Sequence, residues 1–450
     1  MEKIRNTRNP VLPAGVHVPD CEAHVMGDGR LYLYGSYDDR DDVYCSSEYH
    51  VVSTEDMENW TIYDVSFRGE DVPWFNNPEA VHYPGLDWSN PTPFIKKMLE
   101  KDAAEGRDIK EQLDKAEPEK PPLLFAPDCI EKDGKYYLYF CMNDESEGAA
   151  VSDKPEGPFE NPVQLPCGGI DPAVFIDEDG SAYYYWGQLY SYGVKLNEDM
   201  VSIDRKNIVS NLVTEEEHFF HEGSSMRKIG DTYYYVYADM ERGKPTSLGY
   251  STGKSPMGPF EYKGIIIDND GCDPASWNNH GSIECFNGQW YVFYHRCSRG
   301  TQQYRRLCIE KIEILEDGSI PEVKMTSQGI GEPFTNGETI YGYQACGLKG
   351  SAFIAPDKKG SEYLTNIKDG DRAVFRYVST GTGFSETRIR AEGSGAVNVF
   401  INGIKTAEIW IKDGEAKTAL SCCTGPVQEA ELELEFINAQ ELNLISITLI

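Results

Sequence analysis

The alternation of apolar and polar positions along this chain settles five times into one short phrase, a glycine turn running into a tyrosine-rich strand. It reads GRLYLYGS (Gly29–Ser36), GKYYLYFC (Gly134–Cys141), GSAYYYWG (Gly180–Gly187), GDTYYYVYA (Gly230–Ala238) and GQWYVFYH (Gly288–His295). Weaker strands follow some of these, ending in a shared loop phrase: VVSTEDMENW (Val51–Trp60), AVSDKPEGPF (Ala150–Phe159) and GYSTGKSPMGPF (Gly249–Phe260). A hairpin recurring at roughly 45–60 residues, with its outer strands also repeated, predicts a β-propeller of five four-stranded blades. Beyond Val323–Gly331 the tyrosine phrase ends and a different alternation begins: AVFRYV, TRIRAEG, AVNVFING, AEIWIKDG and ELELEFIN. Period-2 strands between Gly and Asp turns over such a length predict a β-sandwich. The expected fold class is therefore all-β, with a propeller over residues 1–330 and a sandwich over 331–450. One stretch departs from it. Residues 90–122 contain IKKMLEKDAAEGRDIKEQLDKAEPEKPP, where Ile95, Met98 and Leu99, then Ile109 and Leu113, recur at helical spacing. This predicts a helical insertion between the first two blades, either a surface decoration or a lid.

A propeller aims the innermost strand of each blade at one axis, and here that placement gives the sequence its chemistry. Asp20, Asp128, Asp171, Glu222 and His280 lie six to nine positions before the five turn glycines. Of these, Asp20, Asp171, Glu222 and His280 are expected to converge on one small pocket. Paired carboxylates in different surroundings are the minimum equipment for glycoside hydrolysis: a base that activates water and an acid that protonates the leaving oxygen. Glu222, in HEGSSM beside an aromatic strand, suits the acid, because burial favours the protonated form. Asp171 in GGIDPAVF would raise the acid's proton affinity further and orient it. Asp20 in VPDCEAHV would be the base, with Glu22 a weaker alternative displaced one step along the strand.

Composition narrows the partners. A net charge of −32 with pI near 4.6 excludes a nucleic-acid partner, which requires a basic surface. No apolar run reaches membrane-spanning length. The first residues, MEKIRNTRNPVLPAG, hold no apolar core or cleavage site, so a cytoplasmic protein is expected, secretion requiring a leader outside this sequence. Twelve cysteines without a CxxC pair argue against structural zinc and a disulfide framework. Oligomeric state is not encoded in any of these patterns.

The phrases NPVLPAGVHVPDCEAHV, LFAPDCIEKDGKYYLYF, GGIDPAVFIDEDGSAYYYWG, HEGSSMRKIGDTYYYVYA and NNHGSIECFNGQWYVFYHR resemble glycoside hydrolase family 43, over roughly residues 9–330. That family comprises five-bladed propeller enzymes, among them α-L-arabinofuranosidases and β-xylosidases. The resemblance implies an inverting hydrolase releasing terminal arabinofuranose or xylose from oligosaccharides, with Asp20 as general base, Asp171 as modulator and Glu222 as general acid. It implies His280 beneath the sugar, beside a calcium ion held mainly through water, with no cofactor required. Arg305 matches an arginine near the sugar hydroxyls, Arg306 being the rival. Phe125 stands where a tryptophan is usual, as an apolar wall for the sugar or as core packing. Asp20 is followed by Cys21 where the family usually has proline. A non-catalytic sugar-binding propeller and an endo-acting relative are the alternatives. The C-terminal segment resembles a family 6 carbohydrate-binding module, and alternation in AEIWIKD turns Trp410 away from Ile409 and Ile411. Trp410 then serves either as a sugar platform or as packing against the propeller.

Overall fold

The computed structural model describes residues 1–75, 77–79, 91–104, 121–379, 381, 383–419, 426 and 428–450. The first blade is a five-stranded sheet, ordered β1-β5-β4-β3-β2 from β1 (Glu2–Arg5), β2 (Glu22–Val25), β3 (Leu31–Tyr34), β4 (Glu48–Thr54) and β5 (Asn59–Arg68). Three four-stranded meanders follow. They comprise β6 (Asp128–Lys132), β7 (Lys135–Cys141), β8 (Ser146–Ser152) and β9 (Glu160–Gly168); β10 (Ala173–Ile176), β11 (Ala182–Trp186), β12 (Tyr190–Lys195) and β13 (Val209–Thr214); and β14 (Phe220–Ile229), β15 (Thr232–Asp239), β16 (Ser247–Gly253) and β17 (Phe260–Asp268). The fifth blade has three strands, β18 (Ser282–Phe286), β19 (Gln289–Ser298) and β20 (Thr301–Ile312). The expected five-bladed propeller is present. The first blade gains a fifth strand because the amino-terminal strand β1 adds to its outer edge, and the last blade has three.

The repeated phrase has a direct physical basis. All five turn glycines, Gly29, Gly134, Gly180, Gly230 and Gly288, have φ between 58° and 81°, a region that side chains disfavour and tight hairpins need. The tyrosines that follow pack between blades: Tyr139 lies 5.3 Å from Tyr184 across the second seam, and Tyr185 lies 5.5 Å from Tyr235 across the third. Their hydroxyls then reach a loop of the next blade. Tyr34 donates to Pro155 O (2.8 Å), Tyr139 to Met200 O (2.6 Å) and Tyr185 to Pro256 O (2.9 Å). Pro155 and Pro256 belong to the two matching loop phrases, so strand and loop repeat together because they bond to one another. Losing one such hydroxyl would leave a buried carbonyl unpaired, at a cost of about 1–3 kcal/mol.

The ring is sealed by side chains from the chain's beginning. Asn9 donates to Ile309 O (3.1 Å) and Glu310 Oε1 (2.9 Å) and accepts from Ile309 N (2.9 Å). Val11, Leu12, Leu31 and Leu33 share a core with Phe293, Leu307 and Ile309.

Part of the helical expectation is met by α1 (Pro93–Ala104), which buries Ile95 and approaches the short helix α2 (Glu215–His218) just ahead of β14. Ile109 and Leu113 lie outside the described residues.

After the propeller come β21 (Thr339–Tyr341), β22 (Gly347–Lys349), β23 (Phe353–Pro356), β24 (Glu362–Thr365), β25 (Arg372–Val378), β26 (Glu386–Ile401), β27 (Ile404–Ala419) and β28 (Ala430–Leu449). They form one continuous sheet that curls around its own core, sandwich-like, because β28 pairs with β21, β24, β25 and β26 along its 20 residues. Asn438 and Glu441, both at positive φ, bend it midway. Ile409 and Ile411 face this core, while Trp410 is 66% exposed, so the alternative of packing against the propeller does not hold.

Candidate active site

Asp20, Asp171, Glu222, His280, Arg305 and Phe125 line one cavity of about 240 Å³ at the propeller axis, together with Tyr44, Gln188, His221 and Trp277. Asp20 and Asp171 sit just ahead of β2 and β10, with φ of 57° and 55°. Aspartate tolerates this left-handed geometry better than most residues, and the turn it makes aims each carboxylate inward. Glu222 arrives differently. The pairing of β14 with β15 slips on either side of it, a bulge that re-aims one side chain at the end of a regular strand. Gly223 is required beside it, because a Cβ there would stand 2.8 Å from the His280 ring.

Asp20 is buried, and each of its oxygens is held by a hydrogen bond while retaining acceptor capacity. Oδ1 accepts from Arg305 Nη1 (2.8 Å) and Oδ2 from Ser36 Oγ (2.7 Å), while His295 Nδ1 stands 3.2 Å from Oδ1. Burial pushes this carboxyl upward, but the Arg305 guanidinium and the His295 and His280 rings outweigh it and hold Asp20 well below the ordinary carboxylate range. Asp171 moves the other way: burial, then the charges of Glu222 and Asp20, push it well above its usual value. The cavity thus holds one carboxyl whose surroundings favour the ionised form and, beside Glu222, one whose surroundings favour the proton. Glu222 Oε2 accepts from Gln188 Nε2 at 2.7 Å and lies 3.8 Å from His221 Nε2. His280 Nδ1 is 3.6 Å from Asp171 and 3.9 Å from Asp20, and burial lowers its proton affinity.

The two arginine candidates separate cleanly, since neighbours on a strand face opposite sides. Arg305 enters the cavity, where Asp38 also grips it at 2.9 Å through both Nε and Nη2. Arg306 points away, pairing with Glu362 of β24 and donating to Leu12 O (2.8 Å). Glu22 does not reach the cavity either. It is bound to Arg227 at 3.0 Å, further along the axis, which removes it as an alternative base. Asp128 is placed with Glu22, because it stands six residues before its turn glycine where Asp20 and Asp171 stand nine before theirs.

Sequence reasoning missed Asp38, His295, Gln188, Tyr44 and Trp277. Asp38 sits in the acidic run YDDRDD, and no local pattern distinguishes it from its solvated neighbours.

The surroundings of His280 do not fit a protein-built calcium cage. Calcium takes six to eight oxygen ligands. Both Asp20 oxygens are already engaged, and the Arg305 guanidinium stands among these groups.

Comparison with known proteins decides the family. The model of glycosyl hydrolases family 43 matches residues 101–320. A xylosidase/arabinosidase of Thermoclostridium stercorarium is 31% identical over 451 residues, spanning 86% of this chain and 85% of that protein. The chain belongs to glycosyl hydrolase family 43. A second xylosidase/arabinosidase, from Bacteroides ovatus, is 30% identical over 70% of this chain and 97% of its own length. Among solved family 43 structures, CoXyl43, a β-xylosidase/α-arabinofuranosidase from a compost microbial metagenome, was captured with xylotriose in a calcium-free form. It superposes with a TM-score of 0.54 at 25% identity, over 72% of this chain and 99% of that one. The arabinoxylan arabinofuranohydrolase of Bacillus subtilis, in complex with cellotetraose, shares the fold over 98% of this chain and 97% of its own (TM-score 0.52, 22% identity). This chain is accordingly a glycoside hydrolase.

Proposed function

We propose that this family 43 enzyme removes single terminal pentoses, α-L-arabinofuranose or β-D-xylose, from arabinoxylan- or arabinan-derived oligosaccharides with inversion at the anomeric carbon. The observation that carries the reading is the meeting of three carboxyls in one small cavity: buried Asp20, which Arg305 holds well below the ordinary range, and Glu222 beside buried Asp171, whose proton affinity burial and the Glu222 charge raise. Asp20 draws a proton from water as that oxygen bonds to the anomeric carbon. Glu222 gives its proton to the glycosidic oxygen as the bond to the leaving sugar breaks. Asp171 and Glu222 repel one another as anions, so the pair retains one proton between them, and that proton is the one Glu222 delivers. Gln188 fixes the Glu222 carboxyl, and His280 and Phe125 border the sugar. A volume of about 240 Å³ lies below the ~300–1,000 Å³ of drug-sized sites and suits one sugar ring, which favours exo action. No step is routed through calcium.

In this reading residues 1–330 form the catalytic unit and 331–450 an accessory unit of the carbohydrate-binding kind, for which the exposed Trp410 offers a flat apolar platform. The ten described cysteines that are free thiols favour a reducing, cytoplasmic setting.

The test is hydrolysis of aryl α-L-arabinofuranoside and aryl β-D-xylopyranoside by wild type and Asp20→Ala, with the first-formed anomer followed by proton NMR. Turnover by wild type, loss in the variant and an inverted product are expected. A retained anomer would refute the mechanism, and an active Asp20→Ala would refute the base.

A further inference from the structure

Below the catalytic cavity, further along the same inner strands, lies a second polar centre that the reaction does not use. β2 contributes Glu22 and His24, β6 contributes Asp128, β14 contributes Arg227 and β18 contributes Glu284. One oxygen from Glu22, one from Asp128 and a ring nitrogen of His24 lie within 4.8 Å of one another. His24 Nε2 is 2.7 Å from Asp128 Oδ1 and 3.8 Å from Glu22 Oε2. We propose that Glu22, His24 and Asp128 bind a divalent transition-metal ion of the zinc class, as a structural site that ties the first two blades together at the axis.

Charge, donor chemistry and geometry converge on this assignment. Three carboxylates, Glu22, Asp128 and Glu284, gather around one guanidinium. Arg227 bonds to Glu22 Oε2 (3.0 Å) and Glu284 Oε2 (3.1 Å), leaving Asp128 with His24 as its side-chain partner. With a neutral imidazole this leaves two negative charges, the amount a divalent cation neutralises. Glu22 is 1% exposed, yet among the described residues its Oε1 accepts no well-formed hydrogen bond, the nearby Ser225 hydroxyl being likewise unpartnered, an arrangement that leaves a buried lone pair available to a cation. Zinc with bonds of about 2.0–2.2 Å sets tetrahedral ligand atoms roughly 3.4 Å apart. The 2.7 Å His24–Asp128 contact would open by about 0.7 Å, and the Glu22 carboxylate, whose Arg227-bonded Oε2 stands 3.8 Å from His24, would turn its free Oε1 to the ion. The ion replaces the proton shared by His24 and Asp128, which moves to the far nitrogen of the ring.

The outer contacts are also in place. Val174 N donates to Asp128 Oδ2 at 2.7 Å, fixing that carboxylate from the third blade. An adjoining cavity of about 330 Å³, lined by His24, Arg227 and Glu284, provides an entry path and room for a water as fourth ligand. One imidazole with two carboxylates selects zinc or a neighbouring transition metal over calcium, which prefers oxygen throughout.

The full-length protein, stripped with chelator, is titrated with zinc, manganese and calcium chlorides, reading binding by calorimetry and thermal unfolding in parallel. The expected result is one zinc per chain with a raised unfolding temperature, and calcium weaker by at least tenfold. His24→Gln and Asp128→Asn should each weaken zinc by at least the about 10–100-fold that loss of an outer partner causes, while His50→Gln should not. If either site variant fails to fold, the cobalt form of wild type decides, an intense tetrahedral ligand-field spectrum supporting the site. Absence of saturable zinc binding, binding unaffected by His24→Gln, equal affinity for calcium, or a weak octahedral cobalt spectrum would each overturn the proposal.

Discussion

Replacing Arg305 with methionine reverses the sign of a pH dependence. In the wild type, Asp20 is buried, and Arg305, bonded to it at 2.8 Å, is the foremost group opposing the effect of burial. Without the guanidinium, burial and the nearby Asp38 push Asp20 upward against the weaker hold of the His295 and His280 rings and the Ser36 hydroxyl. A fully buried carboxyl rises by up to about 3–5 pKa units. At about 1.4 kcal/mol per unit this is roughly 4–7 kcal/mol, overlapping the about 3–5 kcal/mol measured when one partner of a buried ion pair is removed. Because the wild-type value is depressed, its stabilisation is complete above the unfolded value of about 3.9 and is lost only as pH falls through the folded value, in strong acid. In Arg305→Met the folded value lies above the unfolded one, so the variant is least stable near neutrality and recovers as pH falls and Asp20 takes a proton. Chemical denaturation between pH 5 and 7.5 reads the first effect: the stability gap to wild type should narrow toward pH 5. The acid limb of kcat/KM on an aryl glycoside reads the second and should move up by more than about 3 units, because the rise above the ordinary value adds to the depression that is lost. An acid limb coincident with wild type, or a gap that widens toward pH 5, would refute the reasoning.

Glu222→Gln should lower turnover of an unactivated oligosaccharide by about 10²–10⁴-fold, with a smaller loss on an aryl glycoside whose leaving group needs no proton. Arg306→Met, one residue from Arg305, should cost about 3–5 kcal/mol of stability by stranding buried Glu362, yet leave kcat/KM close to wild type. Trp410→Ala should change stability by no more than about 0.5 kcal/mol while reducing retention on insoluble arabinoxylan in a pull-down.

The propeller was legible because its repeat is covalent and local: a glycine at positive φ, a strand of tyrosines, and a loop whose carbonyl receives a tyrosine hydroxyl. The cavity residues were legible from their count back from each turn glycine, provided that count is kept. Asp20 and Asp171 share it, and the bulge at Glu222 restores the aim of a residue one position out of step. Asp128 looks similar in sequence, but three residues of offset carry it to another layer of the axis. Asp38 and His295 were not legible, since their approach to Arg305 and Asp20 joins positions more than 260 residues apart through loop and strand geometry that no local pattern encodes. Alternation oriented Trp410 correctly, yet whether a neighbour covered it depended on how the curled sheet sits, which the period of a strand does not contain.

The seam between Asn9 and Ile309 also imposes an order in time. Asp20 and Arg305 are separated by 285 residues, so at about 5–20 residues per second the proposed base is synthesised roughly 15–60 s before the cation that grips it. During that interval four finished blades have an open edge lined with tyrosine and leucine, the kind of surface on which nascent chains stick to one another or recruit a chaperone. The last propeller strand to be synthesised, β20, both closes that edge and delivers Arg305. On the proposed mechanism, catalytic competence therefore arrives with closure, and a chain cut short before β20 lacks the cation that its base requires.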